Sequence, residues 1–69
     1  MKLSARNVLK GKITAIEVGA VNVEVDIEVA PGLEMTSIIT KKSYENLGLE
    51  VGKEAYAVIK STNVMVATD

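Results

Sequence analysis

Along residues 21–29 apolar and polar side chains alternate without a break. Val21, Val23, Val25, Ile27 and Val29 are interleaved with Asn22, Glu24, Asp26 and Glu28. A period of two over nine residues predicts a half-buried β-strand. β-branched side chains at every apolar position suit such a pleated surface. Weaker versions of the pattern surround it. Residues 8–18 predict a first strand, in which Gly11 marks a bulge or a strong bend, followed by a turn at Gly19-Ala20. Ala30-Pro31-Gly32 is a turn by composition, and residues 34–40 form a third, shorter strand. From Lys41 to Leu49 the alternation stops. Ser43 is placed to cap a helix of one or two turns, Tyr44 and Leu47 to dock it, and Gly48 to end it in the left-handed conformation. A turn at residues 49–53 leads into a fourth strand at 54–60. After a tight connection at Ser61-Thr62, residues 63–68 read as a fifth. This order, with one short helix between strands 3 and 4, is that of an all-β, five-stranded OB-fold-like barrel. No repeat or linker interrupts residues 1–69, which read as a single domain.

Size changes what such a barrel needs. A chain of 69 residues buries only about 60% of the surface its unfolded form exposes, so small domains lean on disulfides, metals or partner subunits. Cysteine and histidine are both absent. That removes disulfides and Cys/His zinc sites and leaves association between copies as the remedy. An apolar content of 48% supplies surface for it. The net charge of −1, with two Tyr and no Phe or Trp, argues against a nucleic-acid binder, which needs a basic field and stacking platforms. No apolar run is long enough for a membrane span or a signal peptide, so a soluble, cytoplasmic protein is expected. The acidic row Glu24, Asp26 and Glu28 reads as a solvated strand face, because no glycine-containing metal loop accompanies it.

Two donor-rich clusters stand out. Ser4-Ala5-Arg6-Asn7 opens the chain, and Lys60-Ser61-Thr62-Asn63 lies near the other end. Hydroxyls, carboxamides, a guanidinium and an ammonium are all hydrogen-bond donors. A tetrahedral oxyanion offers only acceptors, so its site needs donors converging from several directions with limited positive charge. Ser4, Arg6, Lys60 and Ser61 meet that demand if the start of the first strand lies beside the end of the fourth. On their own they read more readily as ordinary strand-end and turn residues. Thr40 and Ser43 form a third group, three residues apart across a strand-to-helix junction. Both hydroxyls can face one ligand, or Ser43 can cap its own helix. No catalytic set is present: Ser4 and Lys60 would be a nucleophile pair without an acid partner or an oxyanion loop. A binding protein, not an enzyme, is expected.

The order and spacing of these fragments resemble a known family. Ser4-Ala5-Arg6-Asn7 with Leu9-Lys10-Gly11-Lys12-Ile13, then Ile39-Thr40-Lys41-Lys42-Ser43, Leu47-Gly48-Leu49 and Val51-Gly52, and finally Ala57-Val58-Ile59-Lys60-Ser61-Thr62-Asn63-Val64, are similar to the molybdate-binding Mop domain of the molbindins. The similarity runs from about residue 2 to 68 and departs at Val8, where a polar residue is common. It implies an OB-like barrel, a hexamer built as a trimer of dimers, and molybdate or tungstate held at subunit interfaces without an organic cofactor. Carried over residue by residue, it implies an interface site of Ser4, Arg6, Lys60 and Ser61 with the Ala5 backbone from one copy, completed by Thr40 and Ser43 of another. A second oxyanion site is placed at the turn Gly19, Ala20, Val21 and Asn22. Storage or buffering of the anion is the function so implied. The alternative is a non-catalytic OB-type interaction or regulatory module that binds a protein partner.

Overall fold

The computed structural model describes residues 1–69. Four strands, β1 (Asn7–Val18), β2 (Asn22–Ala30), β3 (Leu33–Thr40) and β4 (Glu54–Ile59), form one antiparallel sheet in the order β3-β2-β1-β4. A helix, α1 (Lys41–Leu47), follows β3, and a single 3-10 turn, Ser61–Asn63, follows β4.

β1 is long because it serves two partners in turn. Its first half pairs with β4, from Asn7↔Ile59 to Lys12↔Glu54. Its second half pairs with β2, from Lys12↔Glu28 to Val18↔Val23. The strand must bend where it changes partner, and Gly11 sits at the bend. A Cβ there would meet the Glu28 carbonyl group and the Ile27 side chain, so only glycine permits the approach. The bulge itself lies further on. The ladder slips between Ile13 and Ala15, leaving Thr14 as the extra residue. Its hydroxyl reaches the Glu34 carboxylate at 3.1 Å. Of the two roles expected of Gly11, a bulge or a strong bend, it takes the bend, and the bulge falls at Thr14.

The alternation in β2 is realised directly. Val23, Val25 and Ile27 are buried, and with Ile13 they are the only fully buried side chains, forming the core. Val21 stays outside the strand and is exposed. Glu24 is exposed, and Asp26 and Glu28 are only partly covered. Asp26 accepts a hydrogen bond from Thr36 at 2.8 Å.

The helix needs a second correction. Its N-cap is Thr40, not Ser43: Thr40 Oγ1 accepts from the Ser43 amide at 3.1 Å. Both residues carry the hydroxyl a cap requires, but the helix begins at Lys41, directly after β3 and one turn earlier than a cap at Ser43 would place it, so Thr40 occupies the half-in position. Gly48 ends the helix at φ 61°, ψ 41°, as expected of a left-handed C-terminal glycine. Tyr44 packs against the core, while Leu47 remains exposed rather than docked.

The third correction concerns the barrel. Residues 63–68 do not form a fifth strand within the chain, and the sheet is a four-stranded, curled half-barrel. The chain leaves β4 through the 3-10 turn, closed by Asn63 N–H to Lys60 carbonyl at 2.9 Å and Val64 N–H to Ser61 carbonyl at 3.3 Å. It then runs on without a partner. A strand exists only as one side of a ladder, and no strand of this chain pairs with residues 63–68. β3 and β4 are therefore both free edges. An apolar groove of about 420 Å³ opens on the same side, bordered by Leu3, Ile39, Leu47, Leu49, Tyr56 and Val58.

Candidate functional site

Antiparallel pairing of Asn7 with Ile59 brings the segment entering β1 alongside the segment leaving β4. Ser4, Ala5, Arg6, Lys60, Ser61 and Thr62 consequently line one cleft of about 160 Å³. The two clusters that open and close the sequence meet there through a ladder, with no long-range loop required.

The donors in this cleft are unspent. Arg6 and Lys60 take part in no ion pair; the two present are Lys10–Glu54 at 3.2 Å and Lys53–Glu50 at 3.4 Å. The hydroxyls of Ser4, Ser61 and Thr62 make no hydrogen bond within the chain. The backbone amides of Ser4, Ala5, Arg6, Ser61 and Thr62 donate to no backbone carbonyl. No carboxylate lines the cleft. All of the lining residues are exposed except Ala5, which is half-buried. An array of free N–H and O–H groups with two positive charges suits a ligand made of acceptors.

Thr40 and Ser43 lie elsewhere. They face each other, with the Thr40 and Ser43 hydroxyl oxygens 2.9 Å apart, but Thr40 pairs with Asn22 at the far end of β2. The length of β1 lies between the two groups. Within one chain neither Thr40 nor Ser43 lines the Ser4–Lys60 cleft.

The turn Gly19, Ala20, Val21 and Asn22 is at the Thr40 end. The Gly19 amide is committed to the Asn22 carbonyl at 2.8 Å, and the Val21 carbonyl accepts from Lys41 N–H at 2.9 Å. The Ala20 and Val21 amides donate to no backbone group. The shallow cleft beside them is lined by Glu17 and Glu24 as well as Gly19 and Asn22. Two carboxylates with no facing cation make that cleft, in a single chain, a poor place for an anion.

The comparison with known proteins bears on the whole chain. The family model described as TOBE domain matches residues 3–66. The chain belongs to the TOBE-domain family. This TOBE chain is 51% identical over 69 residues to the probable molybdenum-pterin-binding protein of Haemophilus influenzae, covering all of both chains. Its fold is similar to that of a molybdate-binding protein from Sporomusa ovata, with a TM-score of 0.92 and 31% identity over 99% of this chain and 100% of that one. It is also similar to the cytoplasmic molybdate-binding protein ModG in a molybdate-bound form, with a TM-score of 0.88 and 49% identity, covering 94% of this chain and 46% of that one.

Of the residues that line this cleft, composition points to Ser4, Arg6, Lys60 and Ser61, and the family resemblance adds Ala5. Thr62 lies in the second donor cluster but is not among the expected ligands; its signal is its place directly after Lys60-Ser61.

Proposed function

We propose that the protein binds molybdate, and tungstate in the same way, as an intact oxyanion, and that it stores or buffers the anion in the cytoplasm without chemical change. The observation that carries this reading is the cleft of Ser4, Ala5, Arg6, Lys60 and Ser61, in which the side-chain donors make no hydrogen bond or ion pair within the chain and no carboxylate competes. The full-length likeness to a molybdenum-pterin-binding protein and to molybdate-binding structures supports the choice of anion. The cleft has no aromatic side chain to stack against a pterin ring, which favours the bare oxyanion over an organic cofactor.

One copy supplies only half of the donors. Thr40 and Ser43, stranded at the opposite end of β1, complete the site when they come from a second copy. Three features favour a homo-oligomer; its arrangement as a hexamer of three dimers is what the resemblance to the molbindins implies. Only four residues are fully buried, a core too small for a chain of this length to rely on. β3 and β4 are unpaired edges beside an apolar groove. Val64, Met65 and Val66 are 52%, 93% and 89% exposed, an apolar tail that fits the groove and edge of a neighbour. In that arrangement the groove is filled by the protein itself, which leaves no need for a different protein partner. The same association places the Gly19–Asn22 turns of several copies near one another as a second, weaker oxyanion site, provided that other groups offset Glu17 and Glu24.

Isothermal titration with molybdate, tungstate, sulfate and phosphate tests the reading. Molybdate and tungstate are expected to bind alike and more tightly than the smaller anions. Arg6→Ala is expected to weaken both roughly 10- to 100-fold, the loss of one charge-assisted contact, with the melting temperature retained. Absence of heat with both metal oxyanions would overturn it.

A further inference from the structure

We propose that Thr62 is a further anion-contacting residue of the cleft and that its hydroxyl favours larger tetrahedral oxyanions over smaller ones. The inference rests on the anion-binding reading above and adds a residue and a selectivity to it.

Thr62 belongs to the 3-10 turn Ser61–Asn63. Successive side chains of such a turn point about 120° apart. Lys60, Ser61 and Thr62 nevertheless all line the same cleft, so the cleft wraps around the turn. Thr62 therefore approaches a ligand from a direction that Ser61 does not cover. A tetrahedral anion presents oxygens in four directions, and an extra direction of donation matters more to it than an extra donor on an occupied side.

The residue is also held for the purpose. The turn is closed by the Asn63–Lys60 and Val64–Ser61 hydrogen bonds, and the Thr62 hydroxyl has no partner within the chain. A β-branched side chain has a restricted χ1, so the Thr62 hydroxyl has fewer positions open to it than the serine hydroxyls, which can rotate to follow a ligand. A restricted donor discriminates by size. An anion with longer bonds from its centre carries an oxygen out to the hydroxyl; a smaller one, seated on Arg6 and Lys60, leaves the hydroxyl short of contact.

Titration of molybdate and sulfate into wild type, Thr62→Val and Thr62→Ser distinguishes the possibilities. Valine keeps the shape and removes the hydroxyl; serine keeps the hydroxyl and removes the methyl group. Thr62→Val is expected to weaken molybdate roughly 5-fold, the worth of one neutral hydrogen bond, to leave sulfate unchanged, and so to lower the molybdate-to-sulfate ratio. Thr62→Ser is expected to hold molybdate close to wild type. Thermal melting of the three proteins should coincide. An unaltered ratio in Thr62→Val overturns the proposal, as does a Thr62→Ser protein as weak as Thr62→Val, which would assign the effect to the methyl group. A wild type that binds neither anion would instead overturn the reading on which the proposal rests.

Discussion

A Cβ added to Gly11 would lie 2.7 Å from Ile27 Cγ2 and 2.9 Å from the Glu28 carbonyl carbon, and closer still to the carbonyl oxygen. A side-chain methyl can shift; the Glu28 backbone, paired with Lys12 on one side and Glu34 on the other, cannot do so without straining both ladders. Gly11→Ala is expected to destabilise the fold by about 1–3 kcal/mol, the usual penalty for forcing extra volume into packed structure. In a domain of this size that lowers the melting temperature by several degrees per kcal/mol, which calorimetry would read. Gly32, by contrast, meets nothing within 4 Å; its positive φ of 76° is what an alanine there would strain. The sequence singles Gly11 out as a departure from strand composition. It cannot say which backbone comes close, because that neighbour is 17 positions away and is set by the register.

The junction of β3 and α1 shows the same boundary between legible and illegible. Two hydroxyls three apart at a strand-to-helix transition are evident in the sequence as a cap and a partner. Which of them caps depends on where β3 ends, and that is decided by its pairing with β2 through Asn22↔Thr40. Thr14 is harder still: nothing in its composition marks a bulge, which arises from fitting β1 to two partners. The β2 alternation was legible because one element carries the whole pattern. At Thr40 the cap and the proposed ligand role converge, and substitutions separate them. Thr40→Ala is expected to cost about 1 kcal/mol of stability as a lost cap and also to weaken molybdate, while Thr40→Ser should retain both. Thr40→Asp should retain the cap, since Asp is a good N-cap, but lose the anion by charge repulsion. Melting and titration of the three variants read the two roles independently. In β1 and β4, the Glu54 carboxylate hydrogen-bonded to Lys10 raises the Lys10 pKa above its ordinary 10.5. The group is fully exposed, so this pair adds stability only below strongly alkaline pH, and little even there.

For the whole molecule, the pattern of residues 63–68 has the character of a strand, yet no edge in the chain receives it. Sequence patterning reports that a segment can pair, not with what. If the edge belongs to a second copy, a charge in the middle of the tail should prevent association. Met65→Asp is expected to shift the protein toward its 7.4 kDa monomer in native mass spectrometry at micromolar concentration and to lower anion affinity together with assembly. A protein that remains assembled would place the interface elsewhere. Because Met65 is 93% exposed in the single chain, the substitution removes no packing within the copy itself, so a loss of assembly would not trace to an internal folding defect.

The separation of the two donor groups along β1 also has a consequence for counting. Each copy brings one Ser4–Lys60 cleft and one Thr40–Ser43 pair, so in the proposed two-copy site each copy would be half of two different sites. In a closed assembly every half is matched, and the interface sites number one per chain whatever the number of subunits. In an open, head-to-tail array the two ends each keep an unmatched half, and the ratio falls below one by an amount that shrinks as the array grows. The stoichiometry of tight anion uptake would thus report whether the ring is complete, without any measurement of mass.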